Sequence, residues 1–159
     1  MEFRLGAMRA ACSAGVAMLF LALVAVACAS SGPVEPASVF LPRLTGEPPH
    51  YGAALIEGTL VEDRGCLELT HLYLSPEFAL PSPDEVVLPL WPEGSKATRT
   101  DGGGIRVDAP GLPTAVTGRD ISLGGAFTPS LEDAQQKIGE PIPADCRVDL
   151  YWVATPLHT

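Results

Sequence analysis

Cys66-Leu67-Glu68-Leu69-Thr70-His71-Leu72-Tyr73-Leu74 is the stretch on which the reading of the fold turns. Leu67, Leu69, His71 and Tyr73 alternate with Glu68 and Thr70. Alternation with a period of two places successive side chains on opposite faces of a strand. Just before it, Glu62-Asp63-Arg64-Gly65 is a turn, with glycine where a positive φ is required. Before that turn, Ala54 to Val61 carries Ile56, Gly58 and Leu60 on one face. Two alternating runs joined by a short polar turn predict a β-hairpin.

Downstream, short strands follow at close intervals. Ser75 to Asp84 holds three prolines and reads as a loop. Val86 to Trp91 reads as a third strand, and Pro89 inside it predicts an edge position or a bulge. Trp91-Pro92-Glu93-Gly94 and Asp101-Gly102-Gly103-Gly104 are turns, with Ile105-Arg106-Val107 a strand after the second. Thr114 to Thr117 pairs back after Pro110-Gly111-Leu112-Pro113, and Ile121-Ser122-Leu123 is a strand that Gly124-Gly125 ends or bulges. One helix is predicted: Ser130 caps it, Leu131, Ala134 and Ile138 share a face, and Gly139 stops it. The final strand is expected over Cys146 to Ala154, with Cys146, Val148, Leu150, Trp152 and Ala154 on its inner side. Many short strands and one helix before the last predict a mainly β fold, a small barrel or sandwich.

The other end of the chain has a different character. Arg4 and Arg9 precede a stretch from Ala10 to Ala27 without a charge, whose core is Met18 to Val26. That core is shorter than the ~20 residues a membrane span needs, and the pattern is that of a secretory signal peptide. Ala25-Val26-Ala27-Cys28 resembles the lipobox of bacterial lipoproteins, although its first position, usually leucine, is Ala25. The resemblance implies a diacylglyceryl group on Cys28 and cleavage just before it. Two other routes are open: ordinary cleavage after Ala25-Val26-Ala27 or Ala27-Cys28-Ala29, or an uncleaved anchor over Ala10 to Ala27. The expected organisation is a signal peptide over 1–27, a proline-rich tether over 28–50 and a β-domain over 51–157. Within the tether only Val39-Phe40-Leu41 is apolar enough to dock on the domain.

Composition sharpens that boundary. The 159-residue chain has three methionines, all before Cys28, and sixteen prolines, all after Gly32. Its net charge is −9, and removing Glu2, Arg4 and Arg9 makes the remainder one unit more acidic. An acidic protein repels phosphate backbones, which argues against nucleic acid as a partner. It offers no polybasic route to a membrane either, so attachment must come from lipid or from another protein. Cys12 leaves with the signal peptide and Cys28 is the lipidation candidate. Cys66 and Cys146 remain, and in an oxidising compartment they can pair in only one way.

Catalytic and metal-binding patterns are sparse. His50, His71 and His158 are scattered, and no zinc spacing, phosphate loop or Gly-x-Ser-x-Gly occurs. No cofactor is expected. The residues left for a binding face are the carboxylates around the hairpin, Glu57, Glu62, Asp63 and Glu68, together with Trp91 at a strand end. Trp152 is expected in the core.

Gly-x-Leu in the first strand, Gly-Cys-Leu in the second, Leu-Trp-Pro-x-Gly in the third and Gly-Arg-Asp-Ile-x-Leu-Gly-Gly later resemble uncharacterised bacterial envelope domains with an OB-like barrel. The resemblance spans Ala53 to Val153 and implies fold, since its motifs are turn glycines and core positions. The expectation is an exported, lipid-anchored, non-enzymatic protein, held on the outer side of a membrane. Its β-domain would serve an unknown envelope protein or small ligand. The alternatives are an envelope hydrolase using Glu57 and Glu68, and a soluble secreted structural domain.

Overall fold

Arg64 and Gly65 take φ values of 48° and 80°. Two consecutive left-handed residues make the tight turn whose twist matches that of paired strands. They fold β1 (Ala54–Asp63) directly onto β2 (Cys66–Leu74), with Asp63 opposite Cys66. The computed structural model describes residues 38–46, 54–74, 82 and 84–156.

The remaining strands are β3 (Val87–Leu90), β4 (Lys96–Arg99), β5 (Ile105–Asp108), β6 (Ala115–Val116), β7 (Asp120–Thr128) and β8 (Leu150–Thr155). The sheet order β1-β2-β3-β8-β7 closes on itself as a five-stranded barrel. β3 and β8 run parallel and the other pairs antiparallel. This is a small OB-like barrel in a mainly β chain. β4, β5 and β6 form a separate three-stranded sheet between β3 and β7. The helix α1 (Leu131–Ile138) lies between β7 and β8.

Local chemistry sets α1 as expected. The Ser130 hydroxyl accepts from the Asp133 amide at 3.1 Å, and Gly139, at φ 70°, donates its amide to the Gln135 carbonyl. Ala134 and Ile138 are buried on its inner face.

The alternation along β2 breaks at His71. Glu57 faces Tyr73 but Thr59 faces Thr70, so β2 carries one extra residue opposite Gly58. His71 takes a left-handed φ of 51° and absorbs it as a bulge. Parity then reverses: Leu67, Leu69 and Leu72 are buried, whereas His71 and Tyr73 are exposed. The expectation that His71 and Tyr73 share the face of Leu67 and Leu69 is corrected accordingly.

Three other expectations are revised. Gly124 and Gly125 do not end a strand; β7 runs through them to Thr128. At Gly125 (φ 148°), a Cβ would stand 1.9 Å from the Val153 carbonyl oxygen, so glycine lets β8 close against β7. Pro89 is not at an edge, since β3 lies between β2 and β8. β2 and β3 are paired only at Leu69 and Val87, so a residue without a donor is accommodated beyond that point. Cys146 does not begin the last strand. It ends a 3-10 turn, Ala144–Cys146, with its amide bonded to the Pro143 carbonyl, and β8 begins at Leu150.

Two apolar clusters follow. The first fills the barrel with Ile56, Leu60, Leu69, Trp91 and Trp152, and continues into Ile105 and Val107 of the small sheet. Phe127 meets Trp152 edge-on at 4.9 Å, and the indole donates to the Gly124 carbonyl. The second lies outside the barrel wall, where Leu88, Leu90, Tyr151 and Val153 meet Ala134, Ile138 and Cys146. Because α1 covers that wall, β8 is buried on both faces.

Residues 38–46 belong to this body. Phe40 donates its amide to the Gly65 carbonyl and Leu44 to that of Trp91, each at 2.8 Å, and Trp91 returns a bond to Pro42. Leu41 and Leu44 are buried. The docking expected of Val39-Phe40-Leu41 thus extends along a strap that crosses from the β1–β2 hairpin to the end of β3.

Candidate functional site

The hairpin carboxylates fall into different environments. Glu57, on the barrel's outer surface, accepts from the Ser122 hydroxyl at 3.0 Å on the neighbouring β7. Glu62 meets Arg99 of β4 at 3.6 Å. Asp63 is bound by its neighbour Arg64 at 2.9 Å. These are exposed or half-exposed pairs, the kind that contribute ~0–1 kcal/mol.

Glu68 and Trp91 do not belong to an exposed face. Glu68 is only 3% exposed, with Oε1 unpartnered, and Trp91 is fully buried with its indole nitrogen also unpartnered. β2 is covered on both sides: Leu67 and Leu69 point into the barrel, while Cys66 joins the cluster under α1. Alternation identifies the two faces of β2 but does not reveal that a helix and a strap close over the polar one. The register also separates the two proposed catalytic carboxylates. Glu68 is opposite Val61, four residues along β1 from Glu57, a distance of about 13 Å.

Burial pushes the Glu68 carboxyl above its ordinary value of 4.5; Asp63 reinforces the shift and Arg64 opposes it. The folded state holds the proton to higher pH than the unfolded chain, so stability falls as pH rises from about 4.5 through the raised value. Glu68→Gln is expected to remove this decline and to be the more stable protein near neutral pH. Urea unfolding across that range checks it; parallel pH profiles for the two proteins would contradict it.

Cys66 and Cys146 stand at disulfide distance, with S–S 2.02 Å and Cα–Cα 5.4 Å. Both are buried, in the cluster outside the barrel wall rather than inside it with Trp152. Cys28, His50 and His158 lie outside the described residues. Among the described residues no group of His, Cys, Asp and Glu side chains is placed to hold a metal ion, and no helix is long and apolar enough to cross a membrane.

Two features escape a reading of the sequence. Tyr73 is 63% exposed, turned outward by the bulge at His71. The second is a groove of about 350 Å³ between the strap and β4, bordered by Arg43 and Lys96. It depends on the docking of the strap, which a proline-rich stretch does not announce. On the small sheet, Arg106 holds Asp108 through two nitrogens while Thr114 donates to the same carboxylate. The Arg106 bond, then that of Thr114, lowers the Asp108 carboxyl. This is a closed surface network. No protein-family model, no curated protein and no solved structure matches the chain.

Proposed function

We propose that the protein is exported, is anchored by lipid on Cys28, and presents its barrel as a non-enzymatic binding or accessory module on the outer side of a membrane. The observation that carries this reading is the buried Cys66–Cys146 pair at disulfide distance, because such bonds persist in oxidising compartments outside the cytosol. The basic start, short apolar core and Ala25-Val26-Ala27-Cys28 supply the route and the anchor. A doubly or triply acylated cysteine gives stable attachment where a single chain does not.

The docked strap adds a geometric consequence. The described residues begin at Ser38, ten residues after Cys28. Ten residues reach at most ~35 Å, which bounds how far Ser38 would stand from the bilayer.

Fractionation tests the reading. The natural protein is expected in the membrane fraction after a high-salt wash, and Cys28→Ala in the soluble fraction or retained with its leader uncleaved. Recovery of the natural protein from a detergent-free soluble fraction would overturn the anchor and leave a soluble secreted domain.

A further inference from the structure

We infer that the groove between the strap and β4 receives an extended acidic peptide segment, which pairs with the free edge of β4. This gives the binding-module reading a partner; it rests on that reading but not on the lipid anchor.

The strap and β4 are bounded by the same two elements. At one end Phe40 bonds to Gly65 in the β1–β2 turn, and Arg99 reaches Glu62 of β1. At the other end Leu44 bonds to Trp91, and β4 starts just after the turn that follows Trp91. The two segments therefore lie side by side and run in opposite directions. No backbone hydrogen bond joins them. The space between is the groove of about 350 Å³.

Among the described residues the β4 edge is open. In the order β4-β5-β6, β4 has one neighbour. The Thr100 amide bonds to the Gly104 carbonyl at the hairpin end. Alternation from that bond turns the amides of Thr98 and Lys96 toward β5, and those of Ala97 and Arg99 outward. An unpaired row of this kind is a template for an added strand. Val39, Leu41 and Ala97 give the groove an apolar floor.

Charge selects the occupant. Arg64, Arg99 and Arg106 are held by carboxylates, whereas Arg43 and Lys96 beside the groove make no ion pair among the described residues. Among the described residues Glu140 is the single acidic one lining it. On a chain of net charge −9 this is a local reversal of sign.

The test uses the exported protein with its disulfide intact, labelled with nitrogen-15. The probes are two capped hexapeptides, alternating Val-Glu and alternating Val-Lys. The Val-Glu peptide is expected to shift strap and β4 amides and to slow hydrogen exchange at Ala97 and Arg99. Arg43→Ala and Lys96→Ala are each expected to weaken it by roughly threefold, and Glu140→Gln to tighten it by a similar factor. The Val-Lys peptide is expected to leave these amides unmoved. No shift with the Val-Glu peptide at ~1 mM, shifts elsewhere on the barrel, or equal binding of both peptides would overturn the proposal. So would slow exchange at Ala97 and Arg99 before peptide is added, which would mean that the chain itself or a second copy already occupies the edge. Failure here with membrane attachment intact would remove the peptide partner and leave the anchored module standing.

Discussion

Replacing Cys66 and Cys146 together by alanine is expected to lower the stability of the barrel by roughly 4 kcal/mol. The pair closes a loop with a sequence separation of 80 residues, which holds most of the fold. In the chain-entropy model a cross-link of that span removes a large part of the unfolded chain's freedom, and the gain grows only slowly with span. A domain of this size has a net stability of only ~5–15 kcal/mol, so the variant should stand near its unfolding threshold. Alanine is the right replacement because both positions are buried, at 0% and 2% exposure, and a serine would add a buried hydroxyl. The 3-10 turn, Ala144–Cys146, carries no side-chain cap and should loosen first. Urea unfolding of the oxidised, reduced and doubly substituted proteins checks this. The reduced protein should match the alanine variant, and both should unfold well before the oxidised one. Coincident transitions for all three would mean that the bond constrains little.

Gly125→Ala is expected to cost a further class of stability, about 3–5 kcal/mol. The added methyl would meet the Val153 carbonyl oxygen at 1.9 Å and the Trp152 indole nitrogen at 2.9 Å. A carbonyl in the ladder cannot retreat without breaking the β7–β8 pairing, where Gly125 faces Ala154. The indole is held as well, by its bond to Gly124 and its contact with Phe127. Gly103→Ala is the control. Gly103 has φ 82° and open space around its missing Cβ, so only the backbone cost of about 1 kcal/mol applies. If the two alanine variants unfold at the same urea concentration, the close approach of β8 at Gly125 is not what that position secures.

The hairpin and the helix are legible in the residues because their signals are local. Arg64-Gly65 sets the turn, Ile56, Gly58 and Leu60 mark one face, and Ser130 and Gly139 bracket α1. The bulge at His71 is not legible, because histidine carries no mark of a left-handed conformation and the extra residue is defined only by its partner Gly58. The same holds at Gly125, whose requirement comes from a strand far along the chain. Candidate site residues suffered from the same blindness to cover. Glu68 and Trp91 look like surface groups in the sequence, yet the fold buries both. The groove beside Arg43 and Lys96 arises from two segments that are separate in sequence and meet only in the folded barrel.

The proposed export and anchoring are tested most directly by the intact mass of the protein purified from membranes, before and after reduction, for the natural chain and for Cys28→Ala. The expected result is a chain that starts at Cys28 with added acyl mass, lost in the variant. On reduction it should gain the mass of two hydrogens as Cys66 and Cys146 part. An unacylated chain, or a full-length mass with the leader retained, would contradict the lipid anchor. A mass unchanged by reduction would contradict the disulfide on which the export reading rests.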